Sequence, residues 1–455
     1  MGCLMRRSLK LYAASAEAIQ AGRSTWRHRP AKMLATPPLL HVSSRSEPWP
    51  SPNHARTLHT SSALLHPTTM ARPESEPASS WLGEKGAAAF DLRSDTMTTP
   101  TLAMLSAIQN TTLLDDVFEE DPTTIDLEAH VASLTGKEAG LFVLSGTMGN
   151  QLALRSLLTQ PPHSVLTDHR SHINKYEAGG VASLSGALIT AVVPSNGRYL
   201  TLEDIQSHAI LGDEVHSCPT RVISLENSLG GMIQPLSEVA RIASFARAHN
   251  IRVHCDGARL WEVAASGAGS LQDFCQHFDT ASLCFSKGLG APIGSIIVGP
   301  KSVVRHARWV RKSIGGGLRQ SGVVTAAARV ALDVTFGKGP SGEGGLLRET
   351  HATARRVAKM WTDLGGKLQY PVETNMLWLD LASMGCSDAR FVELGREIGL
   401  KLMGGRLITH YQIGEEAIRR LVGVFEKIAA EKEEAGSYVN GNGNGTAQKS
   451  QYAKA

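Results

Sequence analysis

Two chemically reactive residues of opposite charge each follow an apolar run of the sequence. Asp256 comes shortly after the apolar segment 251–254, and Lys287 comes shortly after the segment 281–285. A lysine amine can form a Schiff base with an aldehyde. An aspartate can keep the nitrogen of an aromatic ring protonated, and the ring then withdraws electrons from a bound substrate. The spacing alone fits a structural ion pair between Asp256 and Lys287 equally well.

A third apolar run, at 139–144, ends in the turn Ser145-Gly146-Thr147. A helix that begins at this turn would present backbone amides and the positive end of its dipole to a phosphate. Ser and Thr are also ordinary helix-capping residues, so a plain cap explains the same turn. The chain lacks the G-x-x-x-x-G-K pattern of ATP-binding loops. We therefore expect any phosphate bound here to belong to a monophosphorylated ligand.

A basic segment at 305–312 precedes three consecutive glycines, Gly315 to Gly317, and then Arg319. A charge run is usually a solvated helix face, and the glycines are consistent with a flexible loop. Glycines directly before an arginine also allow the backbone to come close to an anion, with Arg319 as its counter-charge. Both interpretations stay open on the sequence alone.

Strands and helices that alternate along the chain would hold these residues in place. Apolar runs of strand length predict buried strands, and amphipathic segments between them predict helices. The predicted elements are strands at 139–144, 222–225, 251–254, 281–285 and 295–298 and a helix at 235–245. This alternation predicts an α/β fold with a mostly parallel, doubly wound sheet and helices on both faces. In such sheets, ligands bind at the carboxyl ends of the strands.

Composition divides the chain into four parts. These are a disordered leader at 1–85, a large sheet domain at 86–330, a smaller C-terminal α/β domain at 331–433 and a disordered tail at 434–455. The smaller domain is expected to contain a strand at 376–379 and a closing helix at 415–431. The tail repeats Asn-Gly and holds too little apolar surface to fold.

The chain has 455 residues and a formal net charge of +4, and the positive excess lies in the leader. Residues 1–70 hold nine basic residues against two acidic ones and are rich in Ser, Pro, Ala and Leu. That composition predicts a mitochondrial presequence, with a simply disordered extension as the alternative. Translation from Met70 would instead leave a cytoplasmic protein. The charge of the leader is therefore no evidence for a nucleic-acid partner.

Two further properties limit the class of protein. No apolar run approaches the roughly 18 residues of a membrane helix, so we expect no membrane partner. The six cysteines are scattered, without a C-x-x-C pair or a histidine at zinc-ligand spacing. This distribution predicts a reducing compartment and no metal site.

The motifs around these residues, taken in order along 90–432, resemble those of the low-specificity L-threonine aldolases, and especially their fungal members. The motifs are DLRSDTMTTPT, GKEAGLFVLSGT, HINKYEAGG, SLENSLGG, HCDGAR, SKGLGAPIGS, GGGLRQSG and KLMGGRLITHYQI. The resemblance implies a pyridoxal 5'-phosphate enzyme of fold type I that cleaves L-threonine and L-allo-threonine to glycine and acetaldehyde. It also implies a small-molecule β-hydroxy amino acid substrate and a homotetramer with active sites at subunit interfaces.

The resemblance also implies a role for each matched residue. Lys287 would be the Schiff-base lysine, Asp256 the partner of the pyridinium nitrogen, and His172 the residue that stacks on the cofactor ring, with Glu177 nearby. The residues implied for the phosphate are Gly146, Thr147, Arg319 and Lys312, the last from this or a neighbouring subunit. The residues implied for the substrate carboxylate are Ser94, Arg406 and Arg259, of which Arg259 would also contact the cofactor.

One position departs from the family pattern. Several members have a histidine shortly after the SLEN-type motif, whereas this chain continues from Asn227 with Ser228 and Leu229. His172 or a bound water then becomes the candidate base for the substrate hydroxyl. Another pyridoxal-phosphate reaction, such as β-elimination or phenylserine cleavage, stays open as an alternative, and so does a non-catalytic role.

Overall fold

A computed structural model describes residues 86–441 of the chain. The predicted leader at 1–85, with its targeting signal, lies outside the described residues, and so does the part of the predicted tail at 442–455. Between residues 86 and 441, no helix is both long enough and apolar enough to cross a membrane.

Helices and strands alternate through the described residues. The helices are α1 (Leu102–Gln109), α2 (Pro122–Thr135), α3 (Gly146–Leu157), α4 (His172–Lys175), α5 (Gly180–Ser185), α6 (Leu202–His208), α7 (Leu236–Ala248), α8 (Leu260–Ala265), α9 (Leu271–Cys275), α10 (Lys301–Ser313), α11 (Gly322–Ala331), α12 (Leu347–Asp363), α13 (Asp388–Glu397) and α14 (Glu415–Gly441). The strands are β1 (Ala139–Val143), β2 (Ser164–Asp168), β3 (Leu188–Val192), β4 (Thr220–Glu226), β5 (Arg252–Asp256), β6 (Thr280–Cys284), β7 (Ser295–Gly299), β8 (Lys367–Leu368), β9 (Met376–Asp380) and β10 (Arg406–Ile408).

Seven strands form the larger sheet, in the spatial order β1-β7-β6-β5-β4-β2-β3. The strands β3, β2, β4, β5 and β6 run parallel to one another, while β7 runs antiparallel to both β6 and β1. The central strands β4, β5 and β6 are neighbours, so their carboxyl ends meet at one edge of the sheet. The mostly parallel α/β sheet that the sequence predicts is confirmed.

Helices cover both faces of this sheet. Successive side chains of a strand point to opposite faces, so an apolar strand presents hydrophobic surface to helices on each side. Leu141 and Val143 of β1 pack on one face with residues of α3 and α10. Phe142, which lies between them, belongs to the core on the other face together with Leu127 of α2. A short run of apolar residues in β1 therefore contributes to two hydrophobic cores.

Three antiparallel strands, β8, β9 and β10, form a second sheet with a core of its own. Its centre is aromatic: Trp361 of α12 meets Phe425 of α14 edge-on at 5.0 Å between ring centroids, and Phe391 of α13 stacks on Phe425 at 6.4 Å. The chain reaches this part through a π-helical turn, Leu332–Phe336, and the glycine-rich stretch 337–345. The domain boundary near residue 330 stays a prediction.

The first described segment of the chain joins this second sheet. The backbone amide of Leu92 donates to the carbonyl of Lys401 at 3.0 Å, and the amide of Ile408 donates to the carbonyl of Leu92 at 3.0 Å. The side chain of Leu92 is fully buried in the second core. Residues 94–97, which follow Leu92 directly, are therefore held close to β10.

The last helix, α14, is longer than the sequence predicts. The closing helix was expected to end at 431, whereas α14 continues to Gly441, so residues 434–441 of the predicted tail are helical. Leu421, Phe425 and Ile428 anchor the helix in the second core. Because residues 431–435 read Glu-Lys-Glu-Glu-Ala, which are strong helix formers, the helix extends once it is anchored.

Candidate active site

The carboxyl ends of β4 and β5 bring two acidic residues together. Glu226 ends β4 and Asp256 ends β5, and the two are register partners in the parallel ladder. Lys287 lies just after β6, the next strand of the sheet, in a loop that a hydrogen bond from the Gly290 amide to the Lys287 carbonyl closes at 2.8 Å. The buried carboxylate of Asp256 accepts its hydrogen bonds from other groups than Lys287, so the ion-pair interpretation is not supported.

One buried amide holds two of the acidic groups in place. Asn150 of α3 donates from Nδ2 to Asp256 Oδ2 at 2.7 Å and to Glu177 Oε1 at 2.8 Å. The neighbouring Gln151 donates from Nε2 to the other oxygen of Glu177. Asn150 is 1% exposed and Glu177 is 4% exposed, and hydrogen bonds to ionised groups are strong in such a setting. Asn150 therefore fixes the two carboxylates relative to each other.

A buried histidine fixes the orientation of that amide. His254 Nε2 lies 3.1 Å from Asn150 Oδ1, and His254 Nδ1 lies 2.9 Å from Thr280 Oγ1. Because Nδ2 of Asn150 donates to two carboxylates, Oδ1 must accept, and Nε2 of His254 must carry the proton. Burial lowers the pKa of His254 to about 4, so the ring is neutral at physiological pH.

His172, the first residue of α4, faces the same group of side chains. Its Nδ1 lies 2.8 Å from Glu177 Oε1, and its backbone amide donates to Glu226 Oε2 at 2.8 Å. The hydrogen bond with Glu177 raises the pKa of His172, burial opposes this effect, and the negative charge of Asp256 adds to it. Because Glu177 holds Nδ1, Nε2 is the nitrogen left to exchange a proton with a ligand.

Glu226 is the most strongly perturbed acid of the site. Burial raises the pKa of Glu226 to about 8, and the negative charge of Asp256 adds to the effect of burial. A carboxyl group that keeps its proton at neutral pH can donate a hydrogen bond. Sequence reasoning assigned no role to Glu226, and the signal that could have found it is an acidic residue at the end of the strand beside Asp256.

His172, Glu177 and Asp256 place potential ligand atoms within 4.8 Å of one another, a spacing that could hold a metal ion. The amide nitrogen of Asn150 already donates to both carboxylates, Glu177 and Asp256, and so occupies the bridging position that a cation would need. A donor group in that position competes with a cation. We therefore interpret the three residues as a hydrogen-bonded network, and the expectation of no metal stays a prediction.

A buried ion pair connects the N-terminal segment to this edge of the sheet. Arg259 donates from Nε and Nη2 to the two oxygens of Asp95, at 2.9 Å and 2.6 Å. Burial alone would raise the pKa of Asp95, but the charge and hydrogen bonds of Arg259 outweigh it and lower that pKa to about 2. In the part of the chain that the structure describes, Nη1 of Arg259 makes no hydrogen bond and is available to a ligand. Ser94, next to Asp95, accepts a hydrogen bond from the amide of Thr96 at 3.2 Å.

Arg406, the first residue of β10, lies close enough to Arg259 for their charges to interact. Burial lowers the pKa of Arg406, and the positive charge of Arg259 lowers it further. Nη2 of Arg406 donates to the carbonyl of Arg93 at 3.1 Å, whereas its buried Nε has no hydrogen-bond partner among residues 86–441. A bound carboxylate would satisfy Nε and offset the repulsion between the two arginines. Arg406, Arg259 and Ser94 are thus brought together in a way that suits an anionic ligand.

The turn Ser145-Gly146-Thr147 begins α3 beside the end of β6. Ser145 Oγ accepts a hydrogen bond from the Met148 amide at 3.1 Å, so the predicted cap is present. The amides of Gly146 and Thr147 lie in the first turn, where a helix offers no internal acceptor. A Cβ at position 146 would lie 2.8 Å from Cys284 Sγ, so the backbone approaches β6 more closely than a larger residue allows.

The glycine-rich loop after α10 passes close to this turn. A Cβ at Gly316 would lie 3.2 Å from Met148 Cε. Lys312 and Arg319 are both exposed, and Arg319 donates from Nη1 to Asp115 Oδ2 at 2.5 Å. Within residues 86–441 of one chain, no hydrogen bond or ion pair joins these two cations to the turn at Gly146. Their place in a phosphate site stays a prediction.

The basic segment 305–312 is only partly a solvated helix face. Arg311 is 2% exposed, donates from Nη1 to the carbonyl of Phe142 at 2.7 Å and pairs through Nη2 with Asp116. Arg308 donates to Asp116 Oδ1 at 3.1 Å and to Glu128 Oε2 at 2.8 Å. Two arginines of the run therefore fasten α10 to its neighbours, which spacing along the chain could not indicate.

A mostly parallel sheet with a lysine and an aspartate near the ends of neighbouring strands is the α/β architecture of the fold type I enzymes. The chain belongs to the beta-eliminating lyase family, whose model matches residues 91–383. The resemblance carried by the motifs is confirmed at the level of the family.

Relatives with several names share most of the chain. A Penicillium aethiopicum protein named aldolase vrtJ is 59% identical, over 74% of this chain and 86% of its own length. A Cochliobolus carbonum protein named alanine racemase TOXG is 49% identical, over 76% of this chain and 89% of its own. The low specificity L-threonine aldolase of Saccharomyces cerevisiae is 43% identical, over 73% of this chain and 85% of its own.

Solved structures share the fold at low sequence identity. The threonine aldolase of Leishmania major superposes with a TM-score of 0.61 at 19% identity and covers 75% of this chain and 99% of its own. The serine palmitoyltransferase of Sphingomonas wittichii superposes with a TM-score of 0.56 at 18% identity, over 76% of this chain and 88% of its own. Both similarities bear on the fold alone.

Proposed function

We propose that this chain is a pyridoxal 5'-phosphate-dependent aldolase that cleaves L-threonine and L-allo-threonine to glycine and acetaldehyde. Fungal relatives named low-specificity L-threonine aldolases, 43% to 45% identical, support the proposal. The observation that carries it is the carboxylate of Asp256, which Asn150 holds at the end of β5 one strand away from Lys287.

The residues present fit this cofactor. Asp256 offers a fixed carboxylate for a ring nitrogen, Lys287 offers an amine for an aldehyde, and the amides of Gly146 and Thr147 offer donors for a phosphate. The close approach of Gly146 to Cys284 leaves a cradle that a Cβ would fill. When bound, the cofactor withdraws electrons from the α-carbon of an amino acid, so that a bond at that carbon can break.

Two arginines would orient the substrate. Nε of Arg406 and Nη1 of Arg259 would bind the substrate carboxylate, with the hydroxyl of Ser94 beside them. A carboxylate held at two points fixes the rotation about the bond between the substrate nitrogen and its α-carbon. That rotation decides which bond of the α-carbon is aligned to break.

His172 would take the proton of the substrate β-hydroxyl at Nε2, directly or through a water. The carboxylate of Glu177 holds Nδ1 and raises the pKa of His172, which suits a base that must then keep the proton. Several members of the family have a histidine shortly after this motif. In this chain Ser228 and Leu229 follow Asn227, so the motif supplies no second imidazole. With one base for both configurations of the β-carbon, we expect both diastereomers to be cleaved.

The relative named alanine racemase favours a second candidate function. Racemisation needs the same lysine, aspartate and carboxylate site but breaks the bond from the α-carbon to hydrogen instead of the bond to the β-carbon. The choice between the two reactions depends on how the substrate is turned in the site. β-Elimination is a third outcome of the same site chemistry.

The test is to incubate the purified protein and cofactor separately with L-threonine, L-allo-threonine, L-alanine and L-serine. Glycine and acetaldehyde from both threonine diastereomers would support the aldolase. D-Alanine from L-alanine without acetaldehyde from threonine would favour the racemase. Pyruvate and ammonia from L-serine, or no product from any of the four, would contradict the proposed cleavage.

We further propose that the protein is a homotetramer with active sites at its interfaces. Leu113 and Phe118, on either side of Asp115 in the chain, expose 59% and 69% of their surface, and large exposed apolar residues often mark a protein interface. Asp115 holds Arg319, so a neighbouring subunit that covers Leu113 and Phe118 would approach the glycine-rich loop. Light scattering should give the tetramer mass, and a monomeric active protein would contradict this assembly.

We also propose that residues 1–85 direct the protein to mitochondria, on the basis of their charge and composition. Fusion of residues 1–85 to a fluorescent protein should give mitochondrial fluorescence in fungal cells. Diffuse cytoplasmic fluorescence would contradict the targeting role.

A further inference from the structure

Away from Lys287, a cavity of about 370 Å³ lies between α8 and α12. It is lined by Ala265, Ser266, Gly267, Arg348, His351 and Arg355. Pockets that bind small molecules begin at roughly 300 Å³, so this cavity is large enough for a small metabolite. The small residues at the end of α8 leave it open, since a Cβ at Gly267 would meet no atom within 4 Å.

Three basic side chains line the cavity from one face of α12. Arg348, His351 and Arg355 are three and four positions apart, the spacing that places residues on one side of a helix. His351 is 1% exposed, whereas the two arginines are exposed. Positive charge on one wall of a concave surface attracts anions.

Within residues 86–441, neither Arg348 nor Arg355 has an acidic partner. Arg348 donates from Nη2 to the carbonyl of Ser341 at 3.0 Å, and within residues 86–441 Arg355 makes no hydrogen bond or ion pair. Other cations of α12 are paired: Arg356 with Glu415 and Lys359 with Asp363. Because the acids of this part of the chain neutralise the other cations, the positive charge at the cavity is left for a ligand.

His351 orients the innermost part of the cavity. Its Nε2 lies 2.6 Å from Glu262 Oε2, and both side chains are 2% exposed. Glu262 therefore fixes the ring, and Nδ1 is the nitrogen that no hydrogen bond of the described residues engages. The fixed imidazole gives the cavity a rigid inner wall between the two guanidinium groups.

We propose that this cavity binds the phosphate or carboxylate group of a small anionic metabolite through Arg348 and Arg355, with His351 as its rigid inner wall. The site is separate from Lys287 but connected to it by contact. A Cβ at Gly288, the residue after Lys287, would lie 2.1 Å from Glu262 Oε1, so the carboxylate that holds His351 packs against the lysine loop.

The test is titration calorimetry of the cofactor-loaded protein with inorganic phosphate and, separately, with malonate, at constant ionic strength. Loading with cofactor fills the phosphate site at Gly146, saturating glycine fills the carboxylate site at Arg406 and Arg259, and constant ionic strength removes effects of screening. We expect saturable binding of phosphate, malonate or both. Binding of phosphate alone indicates a phosphorylated metabolite, and binding of malonate indicates a carboxylate ligand.

The variants locate the site. The double variant Arg348→Gln with Arg355→Gln should weaken binding by at least about tenfold, because it removes two charged donors. Arg356→Gln is the matched control, since it removes an arginine of the same helix that already has a partner and should bind like the wild type. Equal binding by the double variant and the wild type, or no binding of either anion by the wild type, would overturn the proposal. Neither result depends on whether threonine is cleaved.

Discussion

Replacement of Asn150 by alanine should damage the site at two places at once. The substitution removes the hydrogen bonds from Nδ2 to Asp256 and to Glu177, and it leaves the Nε2 proton of His254 without its acceptor. Gln151 is a natural control because it lies beside Asn150 in α3 and donates only to Glu177. The two alanine variants therefore differ by the bond to Asp256 and by the support of His254.

The expected loss can be worked out from these bonds. A hydrogen bond to a charged group contributes roughly 1.5–3 kcal/mol when its partner is left buried. Gln151→Ala loses one such bond and should lower the free energy of unfolding by about that amount. Asn150→Ala loses two and should lower it by roughly 3–6 kcal/mol, a large part of the 5–15 kcal/mol typical of folded proteins. Urea titration of both cofactor-free variants measures the difference.

The affinity for the cofactor provides a second measurement. Asn150→Ala frees the carboxylate of Asp256 to rotate, so its bound cofactor should dissociate more readily than that of Gln151→Ala. Equal losses of stability in the two variants, or an Asn150→Ala protein within about 0.5 kcal/mol of the wild type, would refute the role given to this amide.

Three further substitutions test other residues of the site. Lys287→Ala should abolish both turnover and the visible absorbance of the bound cofactor, and a variant that keeps both would contradict the assignment. Asp256→Ala should lose most activity even where the cofactor still binds, so a near-normal rate would remove Asp256 from the mechanism. Glu226 keeps its proton in the folded protein between its ordinary pKa of 4.5 and its raised pKa of about 8, so it contributes stability that is lost as the pH rises through that window. Glu226→Gln should lack this loss in urea titrations across the same pH range, and an unchanged pH dependence would contradict the raised pKa.

The sequence predicts those parts of the structure that depend on short apolar runs. β1, β4, β5, β6 and β7 are mostly buried, and each contains apolar residues next to glycine or polar residues. Asp256 and Lys287 follow such strands directly, so their place at one edge of the sheet could be derived. The residues of β7 do not indicate its direction, but the connection at 285–294 is too short for the helical crossover that a parallel neighbour of β6 would need.

Other features depend on partners far away in the chain. β2 is completely buried although it reads Ser-Val-Leu-Thr-Asp, because its polar side chains find hydrogen bonds, as Thr167 does with the carbonyl of Ser224. Asn150 looks like an ordinary helix residue until His254 and Asp256 are placed beside it. Asp95 has no visible role before Arg259 is known to be its partner. Such contacts are fixed by the fold and leave no local pattern.

The attachment of Leu92 to Lys401 and Ile408 has a consequence for how the protein is made. Synthesis on the ribosome delivers Asp256 and Lys287 well before Arg406, and domains generally fold as units in the order of synthesis. A nascent chain that ends after α11 would carry the residues for the cofactor but would lack the arginine for the substrate. The strand that holds the segment at Ser94 would also be missing. The site for the substrate can therefore form only late in translation, when the two ends of the described chain meet.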